Sequence, residues 1–148
     1  MLRRICDAVL DGERSEEWLE EQLVLLLDAM FAAEAGDASA LDKLARARPA
    51  TRVELARRLR LAADYIETCH AEPIGLDRMA AVACLSRLHF VRLFKALYGV
   101  TPHAYLVQRR AAAARRLIQS GERDPDSIAL QAGFGSRSSL RRGLARSG

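Results

Sequence analysis

Apolar residues recur along this chain at intervals of three and four, the spacing of helices with one buried face. Ser15, followed by Glu16 and Glu17, is placed to cap a helix whose stripe is Trp18, Leu19, Leu23, Leu26, Leu27, Met30 and Phe31, with Gly36 as its stop. A short helix is expected over 40–48, before Pro49. A longer one, about Arg52 to His70, carries Leu55, Leu59, Ala62, Ala63 and Ile66 at helical spacing, and Pro73 and Gly75 break it. A helix over 76–83 buries Met79, Ala80 and Ala83, turns at Cys84 and Leu85, and gives way to a helix capped by Ser86. Gly99, Val100, Thr101 and Pro102 close that helix and open the next, His103 to Gln119. Pro125 begins another with Ile128 and Ala129 inside, Gly133 turns the chain, and Ser136 caps the last. Nothing in the N-terminal half alternates with period two, so the fold class is all-α.

The stretch LSRLHFVRLFK, residues 85–95, carries two patterns at once. Phe90, Leu93, Phe94 and Leu97 recur at i, i+3, i+4, i+7 and predict the buried face. Leu88, Val91, Arg92 and Lys95 repeat the same spacing on the other side. Water alone has little use for Leu88 and Val91, and a core has none for Arg92 and Lys95. The mixed face therefore asks for a polar partner with apolar spots.

Charge says what kind of partner. Residues 1–50 hold 6 basic and 11 acidic residues, a balance of −5, whereas residues 85–148 hold 12 basic and 3 acidic, a balance of +9. A basic half of this kind fits a polyanion, nucleic acid before membrane. The longest apolar run, Leu23 to Leu27, is far too short to span a bilayer, and no signal peptide stands at the start. The odd cysteine count (Cys6, Cys69, Cys84) without framework spacing points to free thiols in a reducing cytoplasm. Cys69, His70, Cys84 and His89 fit no structural zinc spacing. No cofactor motif and no nucleophile–base pair stands out, so no enzyme is expected.

The C-terminal part repeats itself. Met79, Ala80, Ala83, Cys84 and Leu85 match Ile128, Ala129, Ala132, Gly133 and Phe134 at a displacement of 49. After the extra Gly135, Ser86, Phe90, Arg92 and Phe94 match Ser136, Leu140, Arg142 and Leu144 at a displacement of 50. Each copy, about 76–98 and 125–146, is a short helix, a tight turn and a capped helix: a helix-turn-helix. Recognition helices on one face of a duplex must lie roughly 34 Å apart to enter successive major grooves. The intervening helix would run about 25 Å, and a turn at each end makes up the span.

From YIETCHAEPIGLDRMAAVACLSRLHFVRLFKALYGVTPHAYL through IALQAGFGSRSSL, the chain resembles the DNA-binding domain of AraC/XylS-family transcription regulators over about residues 55–148. The resemblance implies a sequence-specific regulator that reads two successive major grooves of double-stranded DNA. It implies base contacts at Leu88, Val91 and Arg92 in the first recognition helix, and at Arg137, Ser138, Arg141 and Arg142 in the second. Phosphate contacts are implied at Ser86, Arg87, Lys95, Thr101, Arg109 and Ser136. The chemistry agrees: arginine bonds guanine O6 and N7 bidentately, Leu and Val pack on thymine methyls, and cations, hydroxyls and helix N-termini suit phosphates. His89 is expected to help pack its helix, and Arg115 and Arg116 to be solvated.

The chain also departs from that family's pattern. Cys84 stands where a glycine usually begins the turn, and a positive φ there would cost roughly 1 kcal/mol. Leu140 and Leu144 replace common aromatics, and Gly143 should weaken its helix by about 1 kcal/mol relative to Ala. Residues 1–50, an acidic helical segment, look like the connector that joins an effector-binding domain to residues 51–148. The chain would then be a truncated product, or a small regulator without a ligand domain, bound to the nucleoid. Its N-terminal helices could pair two copies, and RNA polymerase is a further candidate partner. The alternative is an interaction protein that binds DNA weakly and modulates a related regulator through those helices.

Overall fold

The computed structural model describes residues 18, 19, 21–23, 25, 26 and 48–147. The expected cap at Ser15, the helix stop at Gly36, the helix over 40–48 and Cys6 lie outside the described residues. Among those described, every regular element is a helix: α1 Pro49–Cys69, α2 Leu76–Val82, α3 Arg87–Tyr98, α4 Pro102–Gln119, α5 Pro125–Gln131 and α6 Arg137–Arg146. The described residues between 18 and 26 are also helical.

The chain divides into two compact units. One takes the described residues up to Ala62 with Gly75–His103, and the other takes Ala63–Ile74 with the residues from Ala104 on. Each unit holds one copy of the repeat, α2–α3 in the first and α5–α6 in the second.

In the first unit Leu59, Ala62, Leu76, Met79, Ala80 and Ala83 are buried with Phe90 and Phe94. The two phenyl rings meet edge to face with centroids 5.3 Å apart, and Phe94 lies 4.5 Å from the ring of Tyr98. The buried arc of α3 differs from the expected one. Phe90, Val91 and Phe94 form it, while Leu93 is half-buried and Leu97 is 45% exposed. The twelve-residue helix is rotated toward Val91, because only there do both phenyl rings and a β-branched side chain lie inward together.

In the second unit the core is Ala111, Ala114, Ile128, Ala129, Ala132, Phe134 and Leu140, with Ala113, Leu117 and Leu144 against it. The alanines of α4 leave room for α5 and α6 to approach closely. Leu140 and Leu144 thus fill the places of the expected aromatics. Arg115, expected in solvent, donates instead to the carbonyl of Leu144 at 3.2 Å and so serves the C-terminal end of α6.

Both turns are built alike. Cys84 N–H donates to Ala81 O and Leu85 N–H to Ala80 O, each at 3.0 Å. Gly133 N–H donates to Leu130 O at 3.2 Å and Phe134 N–H to Ala129 O at 2.7 Å. This pair of bonds ends a helix through one left-handed residue. That residue is Cys84 at φ 52° in one copy and Gly133 at φ 85° in the other. In the second turn glycine is required twice over, since a Cβ on Gly133 would stand 2.4 Å from the carbonyl oxygen of His70. Gly143 also has a packing reason: the ring of Phe134 lies against it, 2.5 Å from where a Cβ would stand.

Cys84→Gly should therefore raise stability by about 1 kcal/mol, by removing a side chain from a left-handed position. Gly143→Ala should lower it, the clash outweighing a helix-propensity gain of about 1 kcal/mol. Chemical denaturation of the two variants checks both signs.

Candidate nucleic-acid interface

Helices α3 and α6 each begin on a serine cap. Ser86 Oγ accepts from His89 N–H at 3.4 Å and lies 3.1 Å from His89 Nδ1. Ser136 Oγ accepts from Ser139 N–H at 3.1 Å and donates to Ser139 Oγ at 3.1 Å. Both serines remain exposed at the helix N-terminus, where amides and hydroxyls favour an anion. His89 is held as the third residue of the cap.

The repeat extends to a pair of residues that sequence reasoning missed. Arg87 meets Asp77 through Nε and Nη2, and Arg137 meets Asp126 through the same two nitrogens. The guanidinium holds each carboxyl below the ordinary aspartate range. Asp77 and Asp126 are displaced by 49 and Arg87 and Arg137 by 50, so the register of the repeat was the signal. The resemblance implied a phosphate contact for Arg87 and a base contact for Arg137. In the structure both make the same contact: each joins the first residue of its helix, α3 or α6, to the start of the preceding helix.

The remaining expected contacts are placed as follows. In α3, Lys95 is exposed and Leu88 and Arg92 are half-buried. Val91, also expected on a base, is 0% exposed. In α6, Ser138 and Arg141 are exposed, and Arg142 is half-buried and donates to Ser139 Oγ at 3.1 Å. Arg109, expected on phosphate, lies 4.6 Å over the ring of Tyr105 and 3.7 Å from Glu67. Tyr105 in turn donates its hydroxyl to Glu67 at 2.6 Å. Its neighbour Arg110, singled out by no sequence pattern, donates to the carbonyls of His70 and Glu72 at 2.7 and 2.8 Å and serves the chain leaving α1.

Thr101 stands before α4 and is half-buried. Here a second missed residue appears. Glu21 is 1% exposed, accepts from the backbone N–H of His103 and is hydrogen-bonded by the Thr101 side chain. Burial raises its carboxyl to about 7, against the lowering effects of Thr101, His103 N–H and the nearby Lys95. The signal was a carboxylate in an apolar stripe: Trp18, Glu21 and Leu25 fall at i, i+3, i+7. Among the described residues no group of three or more His, Cys, Asp or Glu side chains could hold a metal ion, and no helix is long and apolar enough to cross a membrane.

A family model described as a helix-turn-helix domain matches residues 79–146, from α2 to the end of α6, and so takes in both copies of the repeat. The chain is 33% identical over 83 residues to the probable transcriptional regulator LumQ of Photobacterium leiognathi, covering 56% of the chain and 34% of the relative. It is 28% identical over 82 residues to the uncharacterized HTH-type transcriptional regulator YbfI of Bacillus subtilis, covering 55% and 30%. Over 70 residues it is 40% identical to the bifunctional transcriptional activator/DNA repair enzyme Ada of Escherichia coli, covering 47% and 20%. The matched part spans about a third or less of each relative's length. No solved structure matches.

A buried carboxyl with a raised pKa stabilises the fold at low pH and loses that contribution as pH rises. For Glu21 the contribution is complete below about 4.5 and fades through about 7. Between pH 5 and 8 the wild type should therefore lose up to about 3 kcal/mol relative to Glu21→Gln, which cannot ionise. Parallel denaturation of the two proteins across that range reads the difference, with Lys95 and His103 common to both.

Proposed function

We propose that residues 79–146, an AraC-type helix-turn-helix domain, bind double-stranded DNA sequence-specifically and regulate transcription by reading two successive major grooves. The observation that carries this reading is the repeat. Two serine-capped helices follow turns with the same left-handed residue and the same pair of backbone bonds, and each carries arginine on the side away from its phenylalanine- or leucine-lined core. One such helix would be an ordinary solvated surface. The same backbone bonds, cap and Asp–Arg pair in both copies indicate one task performed twice.

In this reading α3 enters a groove through Leu88 and Arg92, with Lys95 and Ser86 at the phosphates, and α6 enters the next through Ser138, Arg141 and Arg142, with Ser136 at the phosphates. Arg87 and Arg137 act alike, at the edge of each groove. The relatives, named as transcriptional regulators, support regulation of transcription as the biological role. Affinity comes mainly from phosphate neutralisation and therefore falls with salt, while specificity resides in the two helices.

Selection of bound sequences from a random duplex pool tests the reading. It should enrich two half-sites about one helical turn apart, 10–10.5 base pairs. Absence of enrichment at low salt contradicts it. On the selected duplex, Arg92→Ala should cost about 1–3 kcal/mol, and less on unrelated DNA. Equal losses on both would make Arg92 a phosphate contact.

A further inference from the structure

We infer that Asp77 and Asp126 set binding specificity: each holds the first arginine of the following helix, Arg87 or Arg137, in a gripped, charge-balanced pair that withholds it from indiscriminate contact with phosphate. The inference rests on the DNA-binding reading above and names two residues that tune the same surface.

The pairs occur once in each unit and are closed through the same atoms. Nε and Nη2 of Arg87 meet the two carboxylate oxygens of Asp77, and Nε and Nη2 of Arg137 meet those of Asp126. The helices that bear the aspartates differ at the positions around them. Leu76, Arg78 and Val82 of α2 stand where α5 has Pro125, Ser127 and Gln131. Core positions recur because each unit has to bury them, but these side chains are not core. They are 46% and 68% exposed in the first pair and 61% and 62% in the second.

Stability does not account for the recurrence. An ion pair this exposed is screened by water and salt and adds little to a fold. An arginine in the first turn of a helix also faces the positive end of the helix dipole, where an anion is favoured. Neither α3 nor α6 carries an acidic residue in its first turn.

What the pair controls is the reach and the charge of the arginine. A free arginine side chain turns about several bonds and can follow phosphates in many registers, which strengthens binding to any duplex alike. A guanidinium gripped along one edge is fixed in direction and can meet a second anion only along the other. It then favours one placement of the helix on the duplex and adds little in the rest, since phosphate contacts fix register. With its charge balanced by aspartate it also releases fewer counterions, and that release drives binding without regard to sequence.

The test uses the full chain and two probes, a mixed-sequence 30-base-pair duplex and the selected duplex. On the mixed-sequence duplex, Asp77→Asn and Asp126→Asn should each steepen the fall of log affinity with log salt by about 0.9. The gain over wild type is then about 3.5-fold larger at 50 mM than at 200 mM salt. On the selected duplex the gain should be smaller, so the ratio of selected to mixed-sequence affinity falls in each variant. Adding Arg87→Ala to Asp77→Asn should abolish the gain, because the released group is that arginine. Asp64→Asn, which removes one exposed carboxylate on α1, should leave the ratio unchanged. An unchanged ratio in both aspartate variants, a gain that survives Arg87→Ala, or loss of the fold in both overturns the inference and leaves the DNA-binding reading standing. Absence of any duplex binding by wild type and variants removes both.

Discussion

A single left-handed residue between two helices sets the direction of everything that follows it in each unit. With Cys84 or Gly133 at positive φ, two backbone bonds close the preceding helix, and the next helix can begin only at the serine two or three residues on. The buried alanines beside each turn and the Asp–Arg pair across it are consistent with that one angle. The two copies reach it with different tolerance. The first accepts a cysteine at some cost in strain. The second has backbone from His70 so close that only a hydrogen fits.

The same geometry divides the arginines into two kinds. Arg110 and Arg115 satisfy carbonyls left over at chain ends, Arg109 stacks on Tyr105, and Arg87 and Arg137 bind aspartates. All five make contacts within their own units, although composition alone counts them only toward a basic surface. The other cations on α3 and α6 are Arg92, Lys95, Arg141, Arg142 and Arg146.

Helices, caps and turns were legible because each depends on residues within a few positions of one another. Ser86, Gly99, Gly133 and Ser136 each stand where their local chemistry puts them. Which arc of α3 turns inward was not legible. Leu97 is as apolar as Phe94 and keeps the helical interval, yet it is exposed while Val91 is buried, and that choice is made by neighbours distant in sequence. The Asp–Arg pairs were within reach of the repeat but required following charged positions as closely as apolar ones. Glu21 was hidden for a related reason. One acidic residue among eleven in residues 1–50 reads as solvated until its place in the stripe of Trp18 and Leu25 is noticed.

The central claim is that one chain carries two equivalent reading heads on neighbouring turns of a duplex. Hydroxyl-radical footprinting of the chain on its selected duplex measures this directly. The account predicts two protected windows on one face of the DNA, about 10–10.5 base pairs apart, with the second lost in Arg141→Ala and the first retained. A single window, or protection that runs evenly around the duplex, would contradict it.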